Sequence, residues 1–543
     1  MKRTGLALLG SLSVASLAHA ADVLPTTKPA PAPPPSPNCF ASLWDYMNST
    51  AADCPLSWGP FTAYATLDVG VGYESNGAGF SRSYPNTVAN FISKQSYGPK
   101  WLWTPNGLNQ SVIGVKMSQP IAYGWSLVGT LEAGFNPYSG YLANGQRSQV
   151  ENNGKALTLQ NANADSGRAG QWDNSQGFIG VSNKTYGTLV AGRVNTLGLD
   201  GLVSYDPMGS AYAFSPFGYS GSYAGFGDTE LTRSNTAVKY RVDLPYPAFY
   251  GANFRAAGLV QVGSYNQGNG STSMYQGQIG ADFNLFSGTN YAGTLSLDGI
   301  GAYAQNAVNL STFTGTCATL TRGPFAGQTG CTSGIPMFYG PDDLKATLSN
   351  NTGVFLLGKY RFGQIPLTIS GGWEYIRQAD PSSVFPNGFK TIGNYSVPGT
   401  IPSTFPSAAK FWPTQWITYN NYLINRIANV FFIGAKYAIT PQIDVAGAYY
   451  YLEQNNFNSS TTPCAVANTT FVQPNGNHLV VSRVNNGNCA GSQDAISFLI
   501  DYRPVKRVDL YAGVMISNVY AGLANGFQAT QNIAPTAGLR VKF

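Results

Sequence analysis

Charge is what this sequence has least of. Asp, Glu, Lys and Arg make up 10% of its 543 residues, against roughly 25% in ordinary soluble proteins, so a large water-facing surface of the usual kind cannot be built from it. Long apolar runs are missing as well: after residue 20 none approaches the ~18 residues a membrane-spanning helix needs, which excludes a helical membrane protein. There are two histidines, His19 and His478. With no Cys-x-x-Cys or His-rich spacing beside them, no metal centre or Ser/His/Asp constellation can be assembled, and no cofactor is expected. The bases are dispersed rather than clustered, so nucleic-acid binding finds no support.

The N-terminus carries Lys2 and Arg3, an apolar stretch from Leu6 to Leu17 and the small-residue pattern Ala18-His19-Ala20. Residues 1–20 therefore read as a secretory signal peptide. Without its two bases the formal charge of +6 falls to about +4. Residues 21–60 read as a Pro-rich N-terminal segment, with seven prolines between Pro25 and Pro37 that suit an extended linker, followed by a segment holding Cys39 and Cys54. The barrel region described next occupies residues 61–543. The six cysteines permit fifteen connectivities. Nearest-neighbour pairing is favoured, Cys39 with Cys54, Cys317 with Cys331 and Cys464 with Cys489, because each pair lies inside one connecting segment and export makes disulfides plausible.

From Phe61 onward the sequence alternates. In Phe61–Glu74, Phe61, Ala63, Ala65, Leu67, Val69, Val71 and Tyr73 share one face, and Thr62, Thr66, Asp68 and Glu74 share the other, as expected of a strand that is apolar on one side and wet on the other. The same reading holds for residues 110–118, 125–135, 177–183, 187–195, 233–242, 253–265, 275–284, 291–303, 352–362, 367–375, 429–437, 443–451, 495–503, 508–517 and 536–543. That predicts sixteen strands. Short, often Pro-containing connections (Pro120, Pro245, Pro366, Pro441, Pro504) alternate with much longer ones down most of the chain. A sandwich has no reason for this, whereas an outer-membrane barrel has short turns at one end, long extracellular loops at the other and an even strand number. Hydrocarbon demands closure too, since unpaired edge groups cost several kcal/mol each there. The fold expected is all-β, a transmembrane 16-stranded antiparallel β-barrel.

Charged residues obey the alternation. Lys116, Glu132, Asp282, Asp298, Lys359, Arg361, Glu374, Lys436, Asp444, Asp501, Asp509, Arg540 and Lys542 all fall on the inward parity, because a Lys or Arg facing lipid at the midplane would cost ~2 to 4 kcal/mol. The interior is therefore expected to be wet. Tyr and Phe, 33 and 29 in number, recur at strand ends and fit aromatic girdles in aggregate.

One long connection stands apart. Val194–Thr232 contains Asp200, Asp206, Asp228 and Glu230 and no Lys or Arg, and the strand after it presents Arg233, Lys239 and Arg241 on one face. Folded inward, the acids would stand opposite the bases and set a field across a constriction, where charge is weakly screened. The alternative is an exposed acidic surface loop. Arg193 joins the bases only if a bulge at Gly192 turns it inward.

The stretches Gln176–Ser182, Tyr186–Arg193, Asp206-Pro207 and Arg233–Tyr240, with Gly129–Glu132, Ala133–Phe135 and the terminal Gly538–Phe543, together resemble the Gram-negative general porins, most of all those of alphaproteobacteria. The resemblance spans residues from about 61 to 543. It implies a homotrimer of barrels whose third loop folds inward, set among outer-membrane lipid and lipopolysaccharide, and passive diffusion of small hydrophilic solutes and ions. It also implies a terminal Phe543 read by the barrel-assembly machinery. By position it matches Arg193 and Arg233 to constriction bases, Asp206, Asp228 and Glu230 to acids of the inward loop, and Lys116 and Glu132 to lumen-lining charges. Phe214-Ser-Pro-Phe-Gly218 stands where the family has a Pro-Glu-Phe-Gly type of sequence, and the Pro-rich head and three Cys pairs also depart from it. Competing readings are a substrate-selective outer-membrane channel with ligand-binding loops, and a barrel enzyme. For the enzyme His478, in a loop between Cys464 and Cys489, is the only histidine beyond the leader, and no nucleophile pairs with it.

Overall fold

The computed structural model describes residues 39–77, 90–92, 98–140, 175–217, 233–261, 273–310, 346–380, 382, 391–392, 395–396, 423–458, 463–472, 478–484, 487–524, 527 and 529–543. The leader, the Pro-rich run, Cys317 with Cys331, and Asp228 with Glu230 lie outside the described residues.

Sixteen strands make the wall: β1 Phe61–Glu74, β2 Ser111–Pro120, β3 Trp125–Phe135, β4 Gln176–Asn183, β5 Gly187–Asn195, β6 Arg233–Tyr246, β7 Ala252–Gln261, β8 Met274–Leu285, β9 Gly293–Leu310, β10 Ala346–Phe362, β11 Leu367–Ala379, β12 Arg426–Thr440, β13 Ile443–Gln454, β14 Gly491–Val505, β15 Val508–Ala521 and β16 Gln531–Lys542. Each pairs antiparallel with its sequence neighbours, and β1 closes the ring. Its first half, Phe61–Thr66, pairs with β2, and Thr66–Gly72 pairs with β16 in the register Asp68↔Arg540. Closure leaves the wall with no free edge, which is what removes the cost of unpaired backbone groups in an apolar medium.

All sixteen expected strands are present, and β1, β3 and β5 have the expected ends. Others run further: β9 reaches Leu310 and β10 begins at Ala346, their last rungs lying beyond a register shift between Ala304 and Ala307. Past that shift the backbone rungs run Ala307↔Ser349, Val308↔Leu348, Asn309↔Thr347 and Leu310↔Ala346, beyond the span the alternation marks. Two short strands without an alternation signal complete the wall. Lys100–Trp103 takes over from β2 beside Val71–Glu74, and Leu56–Trp58 pairs with Phe61–Ala63.

Outward positions carry an apolar belt, with exposed Ile113, Ile279, Leu356, Ile433, Ile496 and Ile500. The short-turn end is ringed by exposed Tyr123, Tyr186, Tyr250 and Tyr291. At the turn between β2 and β3, Tyr123 and Gly124 both have positive φ, 52° and 77°, the left-handed pair that tight hairpins require. Two disulfides link nearest neighbours as expected: Cys39–Cys54, with Cα atoms 5.6 Å apart, and Cys464–Cys489, with Cα atoms 5.9 Å apart. The first closes a knob containing the one-turn helix α1, Leu43–Met47.

The interior departs from the expectation of uniform wetness. Inward positions on β9 to β15 include Ile300, Phe355, Leu357, Phe432, Tyr450 and Tyr511, none more than 4% exposed. They form an apolar layer that the third long connection covers from inside the barrel.

Candidate functional site

The third connection leaves β5 and turns at once into helix α2, Leu197–Tyr205. Its start is fixed twice. The Thr196 hydroxyl accepts from the Leu199 amide at 3.2 Å, and Gln276 of β8 accepts from the Leu197 amide at 2.7 Å, satisfying two of the amides a helix leaves orphaned at its N-terminus. Leu197, Leu202 and Tyr205 are buried against the wall. The fit needs small residues at the contact: a Cβ on Gly201 would sit 2.6 Å from Ile300 Cδ1, and a Cβ on Gly434 in β12 would sit 2.7 Å from Pro207. Beyond the helix, Phe217 packs edge-on to Phe432 and Tyr450, with ring centroids 5.0 and 5.6 Å away. Phe214 meets Tyr511 of β15 at 6.1 Å. The segment ends against residues preceding β2, where the Ala213 amide donates to the Gly107 carbonyl at 2.9 Å and the Tyr212 hydroxyl donates to Gln110 at 3.2 Å.

Three polar knots hold this loop. Asp206, 6% exposed, lies beneath it; its carboxylate accepts from the Tyr450 hydroxyl at 2.5 Å and from the Ser210 amide at 2.6 Å. Burial pushes this carboxyl above the ordinary aspartate range, against the downward pull of those hydrogen bonds. Asp200 is bridged to Lys239 of β6, whose ammonium also donates to the Asn195 carbonyl at 3.0 Å. At the far end of α2, Arg255 of β7 donates to the Tyr205 hydroxyl at 2.9 Å while bridging Asp282 at 2.8 Å and Asp298 at 2.9 Å. Lys359 donates to the Ser204 carbonyl at 3.0 Å. The inward parity of Arg255 is readable in the sequence, but its role depends on where the loop lands.

The bases expected opposite the loop fall on β5 and β6, and Lys116, expected to line the lumen, on β2. The β5/β6 register shifts between Gly192 and Val194, Gly192 has φ 137°, and Arg193 is buried, so the irregularity that an inward Arg193 requires is present. Arg233 starts β6, paired with Asn195, and Arg241 lies on the same parity as Lys239. Lys116 stands over the Tyr64 ring at 4.4 Å. Glu132 accepts from the Tyr64 hydroxyl at 2.7 Å and from Ser175. The structure therefore joins Lys239 to Asp200 and groups Tyr64, Lys116 and Glu132, while Asp206 belongs to the loop's own anchorage.

Further toward the short-turn end the wall carries alternating charge. Lys436 and Arg503 bridge Asp444 at 2.8 and 2.7 Å, and Arg540 and Lys542 bridge Asp509 at 2.8 and 3.0 Å. Lys436 and Arg503 point inward yet keep 45% and 27% of their side-chain exposure, so water reaches the inner wall at this end of the barrel.

No protein-family model and no curated protein matches the chain. Solved structures of similar shape include the anion-selective porin from Comamonas acidovorans, 13% identical over 89% of this chain and 99% of that one, with a TM-score of 0.48. Another is a loop L8 deletion mutant of OmpT, an outer membrane protein of Vibrio cholerae, 10% identical over 89% and 99% with a TM-score of 0.46. A third is the outer membrane channel DcaP of Acinetobacter baumannii, 12% identical over 89% and 97% with a TM-score of 0.41. The fold itself rests on the strand pairings given above.

Proposed function

We propose that this chain is an outer-membrane porin, a water-filled channel through which small hydrophilic solutes and ions diffuse passively. The observation that carries this reading is a closed barrel, apolar outside, whose inward Lys436 and Arg503 remain wet at the short-turn end. Hydrocarbon outside and water inside is the only pair of solvents that suits both faces at once. On this reading residues 1–20 direct export, the Pro-rich segment 21–60 leads into the barrel 61–543, and the protein works as a channel rather than an enzyme. It would assemble as a homotrimer within lipid and lipopolysaccharide, and Phe543 would serve the barrel-assembly machinery.

The passage lies between the loop and the wall of β1 to β6. Arg193, Arg233 and Arg241, with Asp228 and Glu230, are proposed to set its field, and Lys116 and Glu132 to line it. The Lys239–Asp200 pair closes one side, and Asp206 fixes the loop from beneath. Liposome swelling with sugars of graded size tests the function: a smooth decline in rate with solute size supports diffusion, and impermeability to the smallest sugars would refute it. Replacing Arg233 and Arg241 with Gln should move the reversal potential in a salt gradient toward cation preference; an unmoved potential would remove both from the constriction.

A further inference from the structure

The disulfide-closed knob at the short-turn end is held firmly. Arg507, in the turn between β14 and β15, is buried beneath it and donates to the carbonyls of Tyr46 at 2.9 Å, Thr50 at 3.0 Å and Cys54 at 2.9 Å. Its guanidinium lies 4.0 Å from the centroid of the Tyr46 ring, and its amide donates to the Met47 carbonyl at 3.2 Å. Cys39–Cys54 closes the segment behind these contacts, and Asp53 faces Lys506 at 3.7 Å. A helix of five residues would not persist in water alone; here the cross-link and the arginine clamp define its place.

What this rigid knob presents includes large apolar side chains beside the exposed carboxylates Asp45 and Asp53. Leu43 and Trp44 are 77% and 69% exposed, Phe40 beside them is comparably bare, and Trp58 is 84% exposed. Residues 39–58 contain no Lys or Arg. The register says which way one end of the surface faces. Trp58 pairs with Phe61 and Leu56 with Ala63, and directly paired residues share a face of the sheet. Leu56 and Trp58 thus extend the barrel's outward apolar row past its last rung, while Ser57 is hydrogen-bonded to Thr62 on the other face at 2.8 Å. The knob is continuous with the lipid-facing belt and stands at the end already ringed by Tyr123, Tyr186, Tyr250 and Tyr291.

We propose that residues 39–58 form a foot seated in the lipid interface of the periplasmic leaflet, with Leu43, Trp44 and Trp58 at the boundary between headgroups and acyl chains. The proposal rests on the outer-membrane reading above. Tryptophan favours that depth because its ring is apolar and its N–H needs a polar partner. A prefolded foot also loses little conformational freedom on inserting. The chain before Cys39 would then start from the membrane surface at a fixed point beside β15, not from a loose end of the barrel.

The full-length protein in phosphatidylcholine liposomes, with and without acyl chains brominated near the headgroup, tests this. The emission assigned to Trp44, as the difference between wild type and Trp44→Phe, should fall at least twofold in brominated lipid and resist aqueous acrylamide; Trp58→Phe should report the same for Trp58. Acrylamide quenching of Trp44 without bromine quenching would overturn the proposal. So would shielding from both quenchers, which would place a second protein surface over the foot. Conductance of the same liposomes after fusion to planar bilayers separates the two readings: normal channel steps with an acrylamide-accessible Trp44 count against the foot alone, and absence of steps counts against the channel.

Discussion

Replacing Asp206 with Ala should free the interior loop without opening the barrel. The Tyr450 hydroxyl and the Ser210 amide donate to that carboxylate at 2.5 and 2.6 Å, with the Met208 amide at 3.4 Å, and Asp206, Ser210 and Tyr450 are all buried. Leaving each unsatisfied costs ~1 to 3 kcal/mol, so the loop's closed state should lose about 3 kcal/mol, which is roughly a hundredfold in its opening equilibrium. Asp206→Asn retains an acceptor and should lose far less. Hydrogen exchange of residues 206–215 reads the effect directly, and single-channel recordings should show added current noise in the Ala variant while strand content by circular dichroism is unchanged. Equal protection and equally quiet channels in wild type and Asp206→Ala would refute the anchoring role. The sign with pH follows from the raised carboxyl: the closed loop binds this proton more readily than the open loop does, so its hold is weakest above the raised value and strengthens as pH falls through it. Protection of the loop should therefore not decline between about pH 7 and about pH 5.

Gly434→Ala would place a methyl against Pro207 and the Gly447 carbonyl, overpacking worth ~1 to 3 kcal/mol. It should displace the loop and change unitary conductance, whereas Gly301→Ala, with nothing within 4 Å of its Cβ, should be silent. Glu374 on β11 is fully buried, and neither carboxylate oxygen has a hydrogen-bond partner among the described residues. Glu374→Met should raise resistance to thermal unfolding by ~1 to 3 kcal/mol, and a lower melting temperature would show that the carboxyl is satisfied after all.

The wall was legible because a two-solvent environment writes itself into alternate residues. Phe61–Glu74, Trp125–Phe135 and Gly187–Asn195 end where the alternation ends. Rungs such as Ala307↔Ser349 have no such mark, and neither has Leu56–Trp58, whose partner strand alone gives it a place. The apolar seat of the loop did leave a trace: Val354-Phe-Leu-Leu357, Val430-Phe-Phe-Ile433 and Tyr449-Tyr-Tyr-Leu452 are apolar on both parities. In a barrel with a wet interior that pattern has no purpose, and it marks the strands against which something apolar packs from inside. Asp206 could not be told from Asp200 by sequence. Both are acids of one loop, and only the landing of that loop beside Tyr450 and Lys239 gives one a buried anchor and the other a bridge.

The most direct test of a closed barrel with a wet passage beside its interior loop is conductance of the purified protein in planar lipid bilayers. Stepwise insertions with current linear in voltage and rising with salt concentration without saturation are the predicted result. Bilayers that stay sealed, or currents that saturate at low salt, would contradict it.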